Sequence, residues 1–119
     1  LDLAQIPFRA KDRDDSYPIL LAGGPCSVNP EPFADFFDII LVGEGEDADI
    51  AILKVVTEGR EQGLSKQEIL KKVKGMEGAY VPSLHQEGET VVKAVVQDFE
   101  NAEYPTRPLV ANIEAVHDR

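Results

Sequence analysis

The chain has 119 residues, enough for one ordinary domain, and its 43% hydrophobic and 29% charged residues are the composition of a folded protein, not a disordered one. Its 22 acidic against 12 basic residues give a formal net charge of −10, which argues against a nucleic-acid partner because phosphate backbones are held by a positive footprint. The one cysteine, Cys26, excludes an internal disulfide and a multi-cysteine metal site within the chain, and there is neither a secretory signal nor the roughly 20-residue apolar run of a membrane span, so a cytoplasmic protein is expected.

Leu1, Leu3, Ala4 and Ile6, followed by Pro7, read as the last turn of a helix whose earlier turns are missing. With leucine where an initiator methionine would stand, the chain reads as a piece of a larger protein. Asp12 to Ser16 form a polar, mostly acidic loop that leads through Pro18 into Ile19-Leu20-Leu21-Ala22, a buried strand. Gly23, Gly24 and Pro25 stop that strand, and Asn29-Pro30-Glu31-Pro32 offers a cap and early prolines to a short helix through Phe33, Phe36 and Phe37. Asp38 to Val42 is again nearly all apolar, the pattern of a strand covered on both faces. The connection between these strands has room for a helical crossover, so a parallel βαβ unit is expected.

After Gly43-Glu44-Gly45-Glu46, Asp47 stands at the cap position of a helix whose Ile50, Leu53 and Val56 recur at helical spacing as far as Gln62, with Gly63 as the stop. Ser65-Lys66-Gln67-Glu68 is a capping-box pattern, and Ile69, Leu70 and Val73 continue it as a second amphipathic helix ended by Gly75. Ala79 to Pro82 and Thr90 to Val96 flank a polar segment with Gly88, which reads as a hairpin whose first arm Pro82 confines to an edge. From Asn101 onwards Pro105 and Pro108 interrupt a stretch of little periodicity. The expected organisation is an α/β region at 1–78, a β-hairpin at 79–100 and a connector at 101–119.

Both glycine motifs follow strands. In a parallel sheet Gly23-Gly24 and Gly43-Glu44-Gly45-Glu46 share the carboxyl edge, where open α/β sheets bind ligands, although neither matches a dinucleotide fingerprint or a phosphate loop. Tight strand-to-helix turns are the plainer explanation. Glu44, Glu46, Asp47 and Asp49 cluster at a helix start, where carboxylates are favoured by the macrodipole; recognition of a hydroxylated or cationic group is the alternative. Cys26 follows the first glycine turn, but His85 and His117 fall in the hairpin loop and the connector, so no nucleophile–base pair is written locally. The same two histidines lack the paired spacing of a zinc site.

Taken together, Ile19 through Cys26, Asn29-Pro30-Glu31-Pro32, Asp38 through Val42 and Gly43-Glu44-Gly45-Glu46 resemble the later part of the cobalamin-binding-like domain at the front of radical SAM proteins. Tyr104-Pro105-Thr106-Arg107-Pro108 and Asn112 through Arg119 resemble the segment that leads into the radical SAM domain of such proteins. The resemblance implies a partial flavodoxin-like (Rossmann-like) sheet. It also implies a parent protein of the iron–sulfur oxidoreductase kind that uses a 4Fe-4S cluster, S-adenosylmethionine and, in related domains, cobalamin. By the same resemblance Gly23 and Gly24 match positions that approach cobalamin, and Gly43, Glu44, Gly45 and Glu46 match the neighbouring turn. The cluster of that family is held by three cysteines in a Cys-x-x-x-Cys-x-x-Cys motif, which this chain lacks.

The expected role is therefore non-catalytic: a scaffold, or a module facing cofactor or substrate, beside a radical SAM domain that is its partner. A sheet with unpaired edges would self-associate. An interaction module that binds no cofactor is the alternative from another class, and a thiol enzyme using Cys26 is a third.

Overall fold

A computed structural model describes residues 1–102. The fold is α/β. Its centre is a three-stranded sheet in the order β1 (Leu21–Ala22), β2 (Ile39–Leu41), β3 (Ala79–Tyr80). The helices are α1 (Ala48–Glu61) and α2 (Lys66–Val73). β1 and β2 are parallel, with Leu21 opposite Ile39 and Ala22 opposite Ile40, as the two apolar runs lead one to expect. All three residues of β2 are buried, the signature of a strand covered on both faces.

β3 runs antiparallel to β2, with Ile40 opposite Tyr80 and Leu41 opposite Ala79, so the sheet is mixed. The expected hairpin of 79–100 takes a different form. Its first arm spends its pairing on β2 and gives way at Pro82, which has no N–H, to a 3₁₀ turn over Pro82–Leu84. Its second arm meets the strand ends through an isolated parallel bridge between Ala94 and Gly43 and a bond from the Gly78 amide to the Val92 carbonyl. The connection between β1 and β2 is likewise made of two 3₁₀ turns, Pro25–Val28 and Glu31–Phe36, instead of an α-helix. The bond that opens the second turn is of the 3₁₀ kind, from the Phe33 amide to the Pro30 carbonyl at 3.1 Å. At the start of the chain a single 3₁₀ turn, Asp2–Ala4, ends at Gln5 in the left-handed conformation. The residues read as a connector beyond position 102, with His117, lie outside the described residues.

The core joins Ile39 and Leu41 of the sheet to Ile52 of α1, Leu70 and Val73 of α2, and Ala79, Val81 and Ala94. α1 turns a different face inward from the one its spacing suggests. Ile50 and Leu53 are 59% and 53% exposed, while Ile52 is fully buried and Val55 and Val56 pack beside it. The stretch from Ile50 to Val56 is apolar on more than one side, so two faces satisfy the helical period. α2 follows its sequence closely. Ser65 accepts from the Glu68 amide, the Glu68 carboxylate accepts from the Ser65 amide at 2.9 Å, and Ile69, Leu70 and Val73 are buried.

Candidate functional site

Parallel pairing of β1 and β2 puts Gly23-Gly24 and Gly43-Glu44-Gly45-Glu46 at the same edge of the sheet. Their surroundings differ. Gly24 has φ 105° and ψ −178°, a conformation open only to glycine, and a Cβ added there would meet no atom within 4 Å. Its carbonyl accepts from the Ser27 amide at 3.0 Å and from Ser27 Oγ at 2.7 Å, which closes the turn into Pro25–Val28. At Gly23 the nearest atom to such a Cβ is Leu41 Cβ at 3.8 Å, an ordinary contact. Cys26 is exposed in the turn that follows.

Gly43 has no such space. Its φ is 115°, and a Cβ would fall 2.3 Å from the Ala94 carbonyl oxygen and 2.5 Å from the Ala94 nitrogen. The chain's own segment 92–96 closes this turn. Ala94 donates its amide to Val42 at 2.9 Å, Glu44 donates its amide to the Ala94 carbonyl at 2.9 Å, and the Val96 amide donates to Glu44 Oε2 at 2.6 Å. Gly78 completes the junction: its amide donates to Val92 at 2.8 Å, and a Cβ there would lie 2.8 Å from Ala94 Cβ.

Beside the turn, Gly45 accepts from the Asp49 amide at 2.9 Å and Glu46 is exposed. A shallow cavity of about 200 Å³ lies between Glu44, Asp47, Ala48, Met76 and Val95; Gly23 and Gly24 are not in its lining. The acidic cluster does not act as a set of caps. Asp47 occupies the cap position of α1 without a side-chain capping bond. Burial, with the Glu46 charge as a lesser cause, raises the Asp49 carboxyl above the usual range. Asp49 Oδ1 is buried without a hydrogen-bond partner among the described residues.

The largest polar feature is one that the sequence reading passes over. Arg13, Asp38 and Lys66 form a buried ion triad beneath the opposite end of β2. Asp38 Oδ2 accepts from Arg13 Nη2 at 3.0 Å and from the Leu20 amide at 2.8 Å, and Asp38 Oδ1 lies 2.6 Å from Lys66 Nζ. Arg13 also donates to the carbonyls of Pro7, Phe8 and Phe36, and Lys66 Nζ to those of Ala10 and Arg13. Arg60 of α1 adds bonds to the carbonyls of Asp15 and Tyr17. The polar stretch expected to be a plain loop is thereby wound around three cations. Asp38 opening an otherwise apolar strand was the available signal, since a carboxylate there needs a buried partner.

On the far side of the sheet, Tyr80 donates to Glu31 Oε1 at 2.7 Å and its ring lies 4.7 Å from that of His85. Burial first, then the bond to Glu31 and its charge, push the Tyr80 hydroxyl up to about 12. His85 is thus occupied by Tyr80 and by Glu89, 3.6 Å away.

A single cysteine cannot supply the three thiolates of a radical SAM cluster, so that cluster does not fit the residues of this chain. For cobalamin, the Gly23-Gly24 turn has free space and the Gly43 turn is filled by Ala94. Among the described residues no helix is long and apolar enough to cross a membrane. Comparison with curated proteins and with solved structures gives no match. A family model described as the N-terminal region of radical SAM proteins matches residues 1–82, a span that holds both glycine turns and the whole ion triad. The chain belongs to this family of radical SAM N-terminal regions.

Proposed function

We propose that this region is a non-catalytic scaffold of a radical SAM protein, standing beside the catalytic domain and presenting the carboxyl edge of its sheet towards it. One observation carries the reading: the Gly43 turn, at the place where an open α/β sheet would admit a ligand, is filled by Ala94 of the same chain. Glycine at 43 and at 78 then serves close backbone packing, and Glu44 serves to hold Val96. The 4Fe-4S cluster and S-adenosylmethionine belong, in this reading, to the catalytic domain, in the compartment of a cytoplasmic enzyme. The exposed Ile50 and Leu53 on α1 supply apolar surface for the contact with that domain.

A cofactor-facing role keeps one specific support, the open turn at Gly23 and Gly24. Titrating the protein into hydroxocobalamin separates the two. The scaffold reading expects an unchanged visible spectrum for the wild type and for Gly24→Leu. A saturable shift that Gly24→Leu abolishes transfers the function to the cofactor-facing reading.

A further inference from the structure

A cavity of about 370 Å³ lies between the 9–13 segment, the 34–38 segment and the start of α2. In a chain with 22 acidic and 12 basic residues, four cations gather on its wall: Arg9, Lys11, Arg13 and Lys66. On the wall itself only Asp35 and Asp38 oppose them, while Asp14 and Asp15 lie near Lys66 outside the lining. We propose that this cavity is an anion site that takes a small phosphate monoester.

Three observations lead there. The first is charge: on the wall itself four cations stand against two carboxylates, an excess that a dianion neutralises and a carboxylate only halves. The second is the state of the cations. The Arg13 side chain is fully buried, its Nη1 and Nη2 are engaged, and its Nε has no hydrogen-bond acceptor among the described residues. Lys66 is 7% exposed at its side chain and is held by Asp38 and two carbonyls. These two supply a fixed positive field from behind. Arg9 and Lys11 are exposed in front of it, and Lys11 has no ion-pair partner among the described residues. Arg9 meets Asp35 at 3.3 Å, with side chains 52% and 73% exposed, a pairing weak enough to yield to a phosphate oxygen. The third is the remaining wall. Phe37, Leu70 and Pro82 give the cavity an apolar side, and its volume is that of a small-molecule site. Phosphate meets the cations while the organic part lies on Phe37.

Phenyl phosphate titrated into the full chain at fixed ionic strength, followed by backbone amide shifts, tests the proposal. Saturable shifts are expected at residues 9–13 and 34–38. Arg9→Ala combined with Lys11→Ala, both at exposed positions, should keep the far-ultraviolet circular dichroism and weaken binding by about tenfold or more. Asp35→Asn removes an opposing charge and should tighten binding, a gain that damage to the fold cannot imitate. Lys54→Ala with Lys93→Ala, both exposed and away from the cavity wall, should leave the affinity unchanged. Absence of saturable shifts overturns the proposal. So does an affinity that is insensitive to Arg9 and Lys11, equally sensitive to Lys54 and Lys93, or not improved by Asp35→Asn. Inorganic phosphate binding as tightly as phenyl phosphate would remove the organic ester and overturn the assignment to a monoester.

Discussion

The two ends of β2 are secured by opposite means. At the amino end Asp38 gathers Arg13, Lys66 and the Leu20 amide into a buried, fully coordinated carboxylate. At the carboxyl end the room comes from glycine: Gly43 and Gly78 leave space for the Ala94 backbone to lie against the strand ends, and the one side chain that joins in, Glu44, accepts from the Val96 amide. The first device joins residues 18 or more apart in sequence to one carboxylate through directional bonds. The second joins them by removing atoms. The contrast teaches that a glycine motif at a sheet edge can be a seat for the protein's own chain, and that a loop rich in charged residues can be the most tightly bonded part of a fold.

Each device fails in its own way. Asp38→Ala leaves two buried cations without their carboxylate and should cost about 3–5 kcal/mol, read as a fall in the urea midpoint. Replacing Arg13, Asp38 and Lys66 together by apolar residues of similar size should cost much less, because the penalty belongs to the unpaired charges. Gly43→Ala places a Cβ against the Ala94 carbonyl in a left-handed conformation, and a loss of about 2–4 kcal/mol is expected. Gly24→Ala meets backbone strain but open space, so about 1–2 kcal/mol is expected by the same measurement. If Gly24→Ala cost as much as Gly43→Ala, the difference between the two turns would be lost. Ser65→Ala removes half of the capping box of α2 and should cost about 1 kcal/mol.

A pH effect separates the far side of the sheet from both ends. The Tyr80 hydroxyl is held protonated up to about 12 in the fold, against 10.0 for an ordinary tyrosine. Because the folded value is the higher one, the stabilisation is complete below pH 10 and is lost as the pH rises towards 12. Tyr80→Phe should flatten the decline of stability over that interval, measured as the unfolding midpoint against pH.

What the sequence revealed follows the range of the forces involved. Short apolar runs bounded by glycine and proline located β1 and β2 and their parallel pairing, and Ser65 to Glu68 specified a cap whose atoms are all within four residues. The inward face of α1 was not legible, since Ile50, Ile52, Leu53, Val55 and Val56 satisfy more than one helical stripe and only packing against α2 and the sheet selects Ile52. The ion triad was not legible either, because Arg13, Asp38 and Lys66 carry no common spacing. The valines at 91, 92, 95 and 96 have strand propensity, yet Ala79 and Tyr80 already pair with β2, and the segment crosses the strand ends with one bridge. Of the candidate site, the position of both glycine turns was readable and the occupation of one of them by Ala94 was not.

Hydrogen exchange at the amides of Ala94 and Glu44 tests the central claim most directly. A Gly43 turn closed by segment 92–96 predicts that both amides are strongly protected and that Gly43→Ala exposes both together. Exchange of both amides at the rate of an open loop in the wild-type protein would contradict it.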